Sequence, residues 1–168
     1  MSMSLETQTP YRIAMVCLGN ICRSPIAQVV LSTKIADAGL ADDVVVDSSG
    51  TGGWHLGDPI DNRAAEVLVA HGYDPTHHRA RQFVVDWFDE YDIVLAMDRS
   101  NLGELERLSR NEADLEKVRM FRSFDPVSTA DLDVPDPWYG GRADFEDVLT
   151  IVERTTQALV AELTGSSR

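Results

Sequence analysis

The 168-residue chain carries 28 acidic against 15 basic side chains, a net charge of −13, with the hydrophobic share (43%) of an ordinary globular protein. Binding a phosphate backbone needs a basic footprint, so nucleic acid is excluded as a partner, and no run approaches the ~18 apolar residues of a membrane span. Cys17 and Cys22 sit five positions apart; a bridge there would close a trivially short loop, and two thiols without suitably placed histidines make a poor zinc site, so reduced, intracellular thiols are expected.

Residues 1–10 are polar and lack the basic start and apolar stretch of a secretory signal. They are expected to form a short disordered tail ahead of a single domain over 11–168, located in the cytoplasm; export without a signal peptide is compatible with the same residues. Arg12–Val16 predicts the first strand. Ser24 as N-cap and Pro25 at the first helical position predict a helix ending at Gly39. The β-branched run Val44–Asp47 predicts a second strand, and residues 48–60, rich in Gly, Ser and Thr, read as a loop. A helix over Asp61–His71, stopped by Gly72, precedes a third strand at Asp92–Met97. Asp98 opens a helix to about Ser109, and Lys117–Phe121 is a short fourth strand.

Residues 122–141 form a long connection with three prolines, of the kind that is usually functional. Asp125 within it reads as an ordinary turn residue. A last helix, about Ala143 to Leu163, sets Phe145, Val148, Leu149, Val152, Leu159 and Leu163 on one face. Buried-type strands alternating with helices predict an α/β fold, a parallel sheet with helices on both faces. Ligands of such folds sit beyond the C-terminal strand ends, where Cys17 leaves strand one.

The run Cys17-Leu18-Gly19-Asn20-Ile21-Cys22-Arg23-Ser24 joins that strand to the first helix. A thiol at a strand end can be a plain core residue, but the context here favours a site. Gly19 permits a backbone angle closed to most residues, and Asn20 tolerates the left-handed region. Loop amides, the positive end of the helix and Arg23 would favour a thiolate at Cys17, and the Ser24 hydroxyl can donate to its sulfur. The same donors suit a tetrahedral oxyanion, which the Arg23 fork would grip with two parallel bonds. The lysine of a nucleotide-type phosphate loop is absent, which points to phosphoryl transfer onto the protein.

The segment Val16–Pro25 resembles the signature of the low-molecular-weight protein tyrosine phosphatases, closest to their actinobacterial branch. The resemblance continues, in order, through Asp47-Ser48-Ser49-Gly50-Thr51, Trp54-His55, His78-Arg79-Ala80-Arg81-Gln82, Met97-Asp98-Arg99-Ser100-Asn101 and Asp136-Pro137-Trp138-Tyr139-Gly140. It implies a four-stranded parallel sheet flanked by helices, and hydrolysis of phosphotyrosine through a cysteinyl-phosphate, with no cofactor and no metal. Protein substrates bearing phosphotyrosine, inhibition by phosphate-like oxyanions and action as a monomer are expected.

A phenolate leaves poorly, so a carboxylic acid is needed opposite the nucleophile. Composition does not choose between Asp125-Pro126 and Asp136-Pro137. The resemblance makes Asp136 the acid, followed by two aromatics and the glycine pair Gly140-Gly141. Trp138 stands where the family usually has a tyrosine, leaving Tyr139 as the position there open to phosphorylation. Trp54 reads equally as a core anchor or a pocket wall; the resemblance favours a wall beside Trp138 and Tyr139. Cys22 reads equally as a small buried filler or as a thiol that traps oxidised Cys17 in a disulfide, a device the family uses. The resemblance also implies that His78 bonds Asp98 and that Ser48 pairs with Asn20 to hold the loop open. Leu18, Ile21 and Cys22 complete the loop. The principal alternative is an arsenate reductase drawing on a small external thiol, since no third cysteine follows Cys22 to relay a disulfide; a phosphate sensor without turnover is a further one.

Overall fold

A computed structural model describes residues 9–127 and 130–166. Most of the expected tail, residues 1–8, lies outside the described residues, as do residues 128–129 of the long connection.

Four strands, β1 (Tyr11–Cys17), β2 (Val44–Gly50), β3 (Ile93–Ala96) and β4 (Val118–Met120), form one sheet in the order β2-β1-β3-β4, with every pair parallel. The period of two splits the central strands between two cores. Ile13, Met15, Ile93 and Leu95 face one layer, with α1 (Arg23–Asp37), α2 (Asn62–Ala70) and α6 (Arg142–Ser166); Ala14, Val16, Val94 and Ala96 face the other, with α3 (Trp87–Glu90) and α4 (Arg99–Leu108). This is the α/β sandwich of the sequence reading. A further short helix, α5 (Glu112–Lys117), leads into β4.

The helices form where spacing and caps agree. Ile26, Val30, Leu31 and Ile35 bury one stripe of α1, which ends where Gly39 adopts a φ of +76°. The Asp61 side chain caps α2 by accepting from the Arg63 amide, and that of Asp98 caps α4 by accepting from the Asn101 amide. Phe145, Val148, Leu149, Val152 and Leu159 are buried along α6, with Leu163 packed at its edge.

Several expectations need correction. Helix α1 begins at Arg23 with Cys22 in the capping position and no side-chain cap; Ser24 lies inside the first turn, its hydroxyl shared among Cys17, Asn20 and the Ser49 carbonyl. Strand β2 continues through Ser48, Ser49 and Gly50, which pair with Met15, Val16 and Cys17. Neighbouring β1 supplies the ladder that overrides their loop-like composition. The long connection opens with a 3-10 turn, Phe121–Phe124. Asp125 is no ordinary turn residue: its side chain is 0% exposed and is gripped by Arg122 and, through two bonds, by Arg154 of α6. Those arginines hold its carboxyl down at about 2 against the cost of burial.

Candidate active site

Strand β1 delivers Cys17 at the C-terminal edge of the sheet, and α1 starts six residues later. The intervening loop folds around Asn20, which is wholly buried at a φ of +59°. Both Nδ2 hydrogens are spent, on Ser24 Oγ and Ser48 Oγ, each at 2.9 Å. Its Oδ1 accepts from the Arg81 amide at 2.8 Å, and its own amide donates to Cys17 Sγ at 3.3 Å. Ser48 passes its proton on to Gln28 Oε1 at 2.5 Å. Ser24 Oγ, already accepting from Asn20, has one hydrogen and two acceptors for it, Cys17 Sγ at 2.9 Å and, at the longer distance of 3.4 Å, the Ser49 carbonyl.

The bend therefore falls on Asn20 rather than Gly19, whose φ is not positive. Gly19 is small for a different reason, because a Cβ there would stand 3.1 Å from the His55 ring. Gly50 matters more. A Cβ on it would lie 2.6 Å from the Leu18 carbonyl, so the loop can cross the end of β2 only over a glycine.

His78 does not bond Asp98. Its Nε2 lies 2.6 Å from the Asn20 carbonyl, which can only accept, so that nitrogen carries the proton. Burial, with Arg81 and Arg79 nearby, holds the ring below its ordinary value and so neutral, against the pull of the Asn20 bond. Asp98 is instead the partner of Arg23, whose Nη1 donates to Asp98 Oδ2 at 2.7 Å and to the Val134 carbonyl at 3.0 Å. Burial opposes the charge on Arg23, but Cys17, Asp98 and Asp136 outweigh it and raise the guanidinium above its usual value. Asp136 Oδ2 stands 3.8 Å from Arg23 Nη2.

These groups line a cavity of about 320 Å³. Cys17, Leu18, Gly19, Ile21, Cys22 and Arg23 form its floor and sides, and Asp136, Trp54, His55, Trp138 and Tyr139 its rim. Trp54 is 72% exposed and is therefore no core anchor. It lies against Gly52, where a Cβ would collide with its ring. Cys22 is a buried free thiol, pushed up by burial and by Asp61, Cys17 and Asp136, so it stays protonated beside Cys17. A larger cavity, about 690 Å³, lies at the opposite end of the sheet among Tyr11, Leu40, Arg119 and Leu159. Neither cysteine lines it, so size does not identify the site.

Two residues at the site have no role in the sequence reading. His55 packs on Gly19, and its ring lies 6.0 Å from that of Trp138; its place directly after Trp54 was the available signal. Arg63 reaches from α2 to the carbonyls of Trp138 and Gly140, and nothing in its own segment beyond the Asp61 cap marks it out. Among the described residues no group of three or more His, Cys, Asp or Glu is placed to hold a metal, and no helix is long and apolar enough to cross a membrane.

A thiol at the end of a parallel strand, an arginine and a helix start without a side-chain cap meet at one cavity of an α/β fold, an arrangement of donors that suits a tetrahedral oxyanion. Residues 12–168 match the model of the family described as low molecular weight phosphotyrosine protein phosphatase, and the chain belongs to that family. It is 51% identical over 152 residues to the low molecular weight protein-tyrosine-phosphatase of Streptomyces coelicolor, covering 90% of this chain and 92% of that one. Low molecular weight protein-tyrosine phosphatase A of Mycobacterium tuberculosis is 46% identical over 151 residues, covering 89% and 90%. Among solved structures, a protein tyrosine phosphatase from Entamoeba histolytica superposes with a TM-score of 0.88 at 32% identity, covering 94% of this chain and 99% of that one. The actinobacterial likeness read from the sequence agrees with these relatives.

Proposed function

We propose that this chain is a protein-tyrosine phosphatase, a phosphoric monoester hydrolase that works through a phosphocysteine. The observation that carries the reading is the placement of Cys17 Sγ, held by Ser24 Oγ and the Asn20 amide, on the floor of a cavity that also holds Arg23 and Asp136. The Cys17 thiolate attacks phosphorus in line, forming the S–P bond as the P–O bond to the phenol breaks. Asp136 gives its proton to the departing phenolic oxygen. Asp136 then takes a proton from water, which attacks phosphorus and releases inorganic phosphate and the thiolate. Arg23 has Nη1 committed to Asp98 and Val134; the Nε–Nη2 side of its fork, with the loop amides from Leu18 onward, holds the equatorial oxygens.

Trp54, Trp138 and Tyr139 rim the cavity and would stack on an aryl ring that phosphoserine lacks. The Entamoeba relative has Hepes in its active site; the sulfonate of that buffer is a tetrahedral oxyanion, in keeping with inhibition by phosphate-like anions. The enzyme acts as a cytoplasmic monomer on phosphotyrosine-bearing proteins, and Cys22 guards Cys17 by capturing its sulfenic acid as a disulfide. Arsenate reduction is not favoured, since the relatives are named as phosphatases.

The test is turnover of p-nitrophenyl phosphate in EDTA by the wild type, Cys17→Ser and Asp136→Asn. Activity in the wild type and its loss in both variants is expected. An inactive wild type that reduces arsenate with a small thiol would overturn the reading.

A further inference from the structure

We propose that Arg63 is a positioning residue that fixes the acid-bearing loop to the phosphate loop, setting where Asp136 presents its proton and where Trp138 stands. The inference rests on the reading of Asp136 as the acid.

The two edges of the Arg63 guanidinium serve two different loops. Its Nε and Nη2 bind the Asp61 carboxylate, at 3.1 and 3.0 Å, while Asp61 also caps the helix by accepting from the Arg63 amide at 2.8 Å. The Asp61 amide in turn donates to the carbonyl of Ile21, inside the phosphate loop, at 2.9 Å. On the far edge, Nη1 donates to the Trp138 carbonyl at 2.9 Å and to the Gly140 carbonyl at 3.1 Å. The Trp138 amide donates to Asp136 Oδ1 at 3.1 Å. A continuous chain of bonds thus runs from Ile21 through Asp61, Arg63 and Trp138 to the carboxylate of Asp136.

Packing reinforces the chain. The guanidinium carbon lies 5.4 Å from the centroid of the Trp138 ring and 4.7 Å from that of Phe145, so the same cation holds the aromatic wall by its face. Among the described residues, Arg63 is the one side chain outside residues 135–144 that donates hydrogen bonds into residues 135–141. The ion pair from Arg23 to Asp136, at 3.8 Å, is too long to be a hydrogen bond. A lysine would supply the charge but not a planar fork with one edge on a carboxylate and the other on two carbonyls. Holding an acid in line with its leaving oxygen acts on the step in which that oxygen needs a proton, so the effect must scale with leaving-group basicity.

The experiment measures kcat/KM for phenyl phosphate, whose phenolate is a poor leaving group, and for 2,4-dinitrophenyl phosphate, whose phenolate departs without help. Wild type, Arg63→Ala, Arg63→Gln, Arg63→Lys, Asp136→Asn and the Arg63→Ala/Asp136→Asn pair are compared. Loss of Arg63 is expected to cost roughly 10- to 100-fold on phenyl phosphate and only a few-fold on the dinitrophenyl ester. Lysine should restore little. In the Asp136→Asn background the further loss should be a few-fold on either ester, because the group being positioned is gone. Equal losses on both esters in Arg63→Ala and Arg63→Gln, beside a leaving-group-dependent loss in Asp136→Asn, would overturn the proposal alone. A leaving-group-independent effect of Asp136→Asn would overturn the acid assignment and the proposal with it.

Discussion

The two loops that meet at the cavity are built by opposite means. The loop after β1 is anchored from within: Asn20 spends its side chain on Ser24, Ser48 and the Arg81 amide, and Gly50 lets the backbone press against β2. The acid loop is anchored from outside, by Arg63 on one flank and by the Arg23 bond to Val134 on the other, while Tyr139 at its tip is 96% exposed. In the proposed mechanism the oxyanion cradle must be finished before the substrate arrives, whereas the side that carries Asp136 must admit a ring and release a phenol. The two Asp-Pro pairs sharpen the contrast. Asp125 is sealed between Arg122 and Arg154 and holds the start of the connection to α6; Asp136, with half its side chain in solvent, faces the cavity.

The largest expected effect is chemical. Cys17→Ser should lower turnover of p-nitrophenyl phosphate by roughly 10⁴-fold or more while leaving phosphate affinity measurable by calorimetry. Asp136→Asn should cost about 10²–10⁴-fold on phenyl phosphate. Asn20→Ala takes the acceptor from the part-buried Arg81 amide and a donor from each of the buried Ser24 and Ser48 hydroxyls; a buried polar group left short of a partner costs about 1–3 kcal/mol. The substitution should lower the denaturant midpoint and activity together, which separates it from Asp136→Asn.

Asp125→Asn should cost stability without the leaving-group signature. The Asp125 carboxyl is depressed to about 2 in the folded chain, so its contribution is present above the ordinary carboxylate range and lost as pH falls towards 2. That contribution is on the order of 2 kcal/mol near neutral pH, and the gap between wild type and variant in urea melts should narrow by about 1 kcal/mol from pH 7 to pH 3. The smallest effect belongs to His78. Its ring is held below its ordinary value when folded, so the unfolded chain takes up the proton first. Stability should fall as pH drops below the ordinary histidine range, and His78→Gln should flatten that slope. After peroxide treatment, dithiothreitol should restore the wild type but not Cys22→Ser; equal recovery would remove the guarding role.

Much of this was legible in the sequence because periodicity and caps are local. Alternation in β1 and β3, the spacing in α6 and the caps Asp61 and Asp98 all act within a few residues. What escaped depends on partners distant in the chain. Ser48–Gly50 look like loop until β1 pairs with them. Asp125 looks like a turn residue until Arg154 arrives from α6, and α3 becomes a helix where Trp87 and Phe88 pack into the second core. At the site, the run Cys17–Ser24 was readable because strand, loop and helix are contiguous. Arg63 was not, since the carbonyls it reaches, Trp138 and Gly140, lie over seventy positions away. The implied bond between His78 and Asp98 failed for the same reason: two loops compete for those side chains, and Asn20 and Arg23 win them.

The central claim is that phosphorus passes through Cys17. Acid-quenching the enzyme during turnover of an aryl phosphate, followed by peptide mass spectrometry, tests it directly. The account predicts one phosphoryl group on the peptide bearing Cys17, at the sulfur, and none in Cys17→Ser. Turnover retained at the wild-type rate in Cys17→Ser, or a phosphoryl group trapped on another residue, would contradict it.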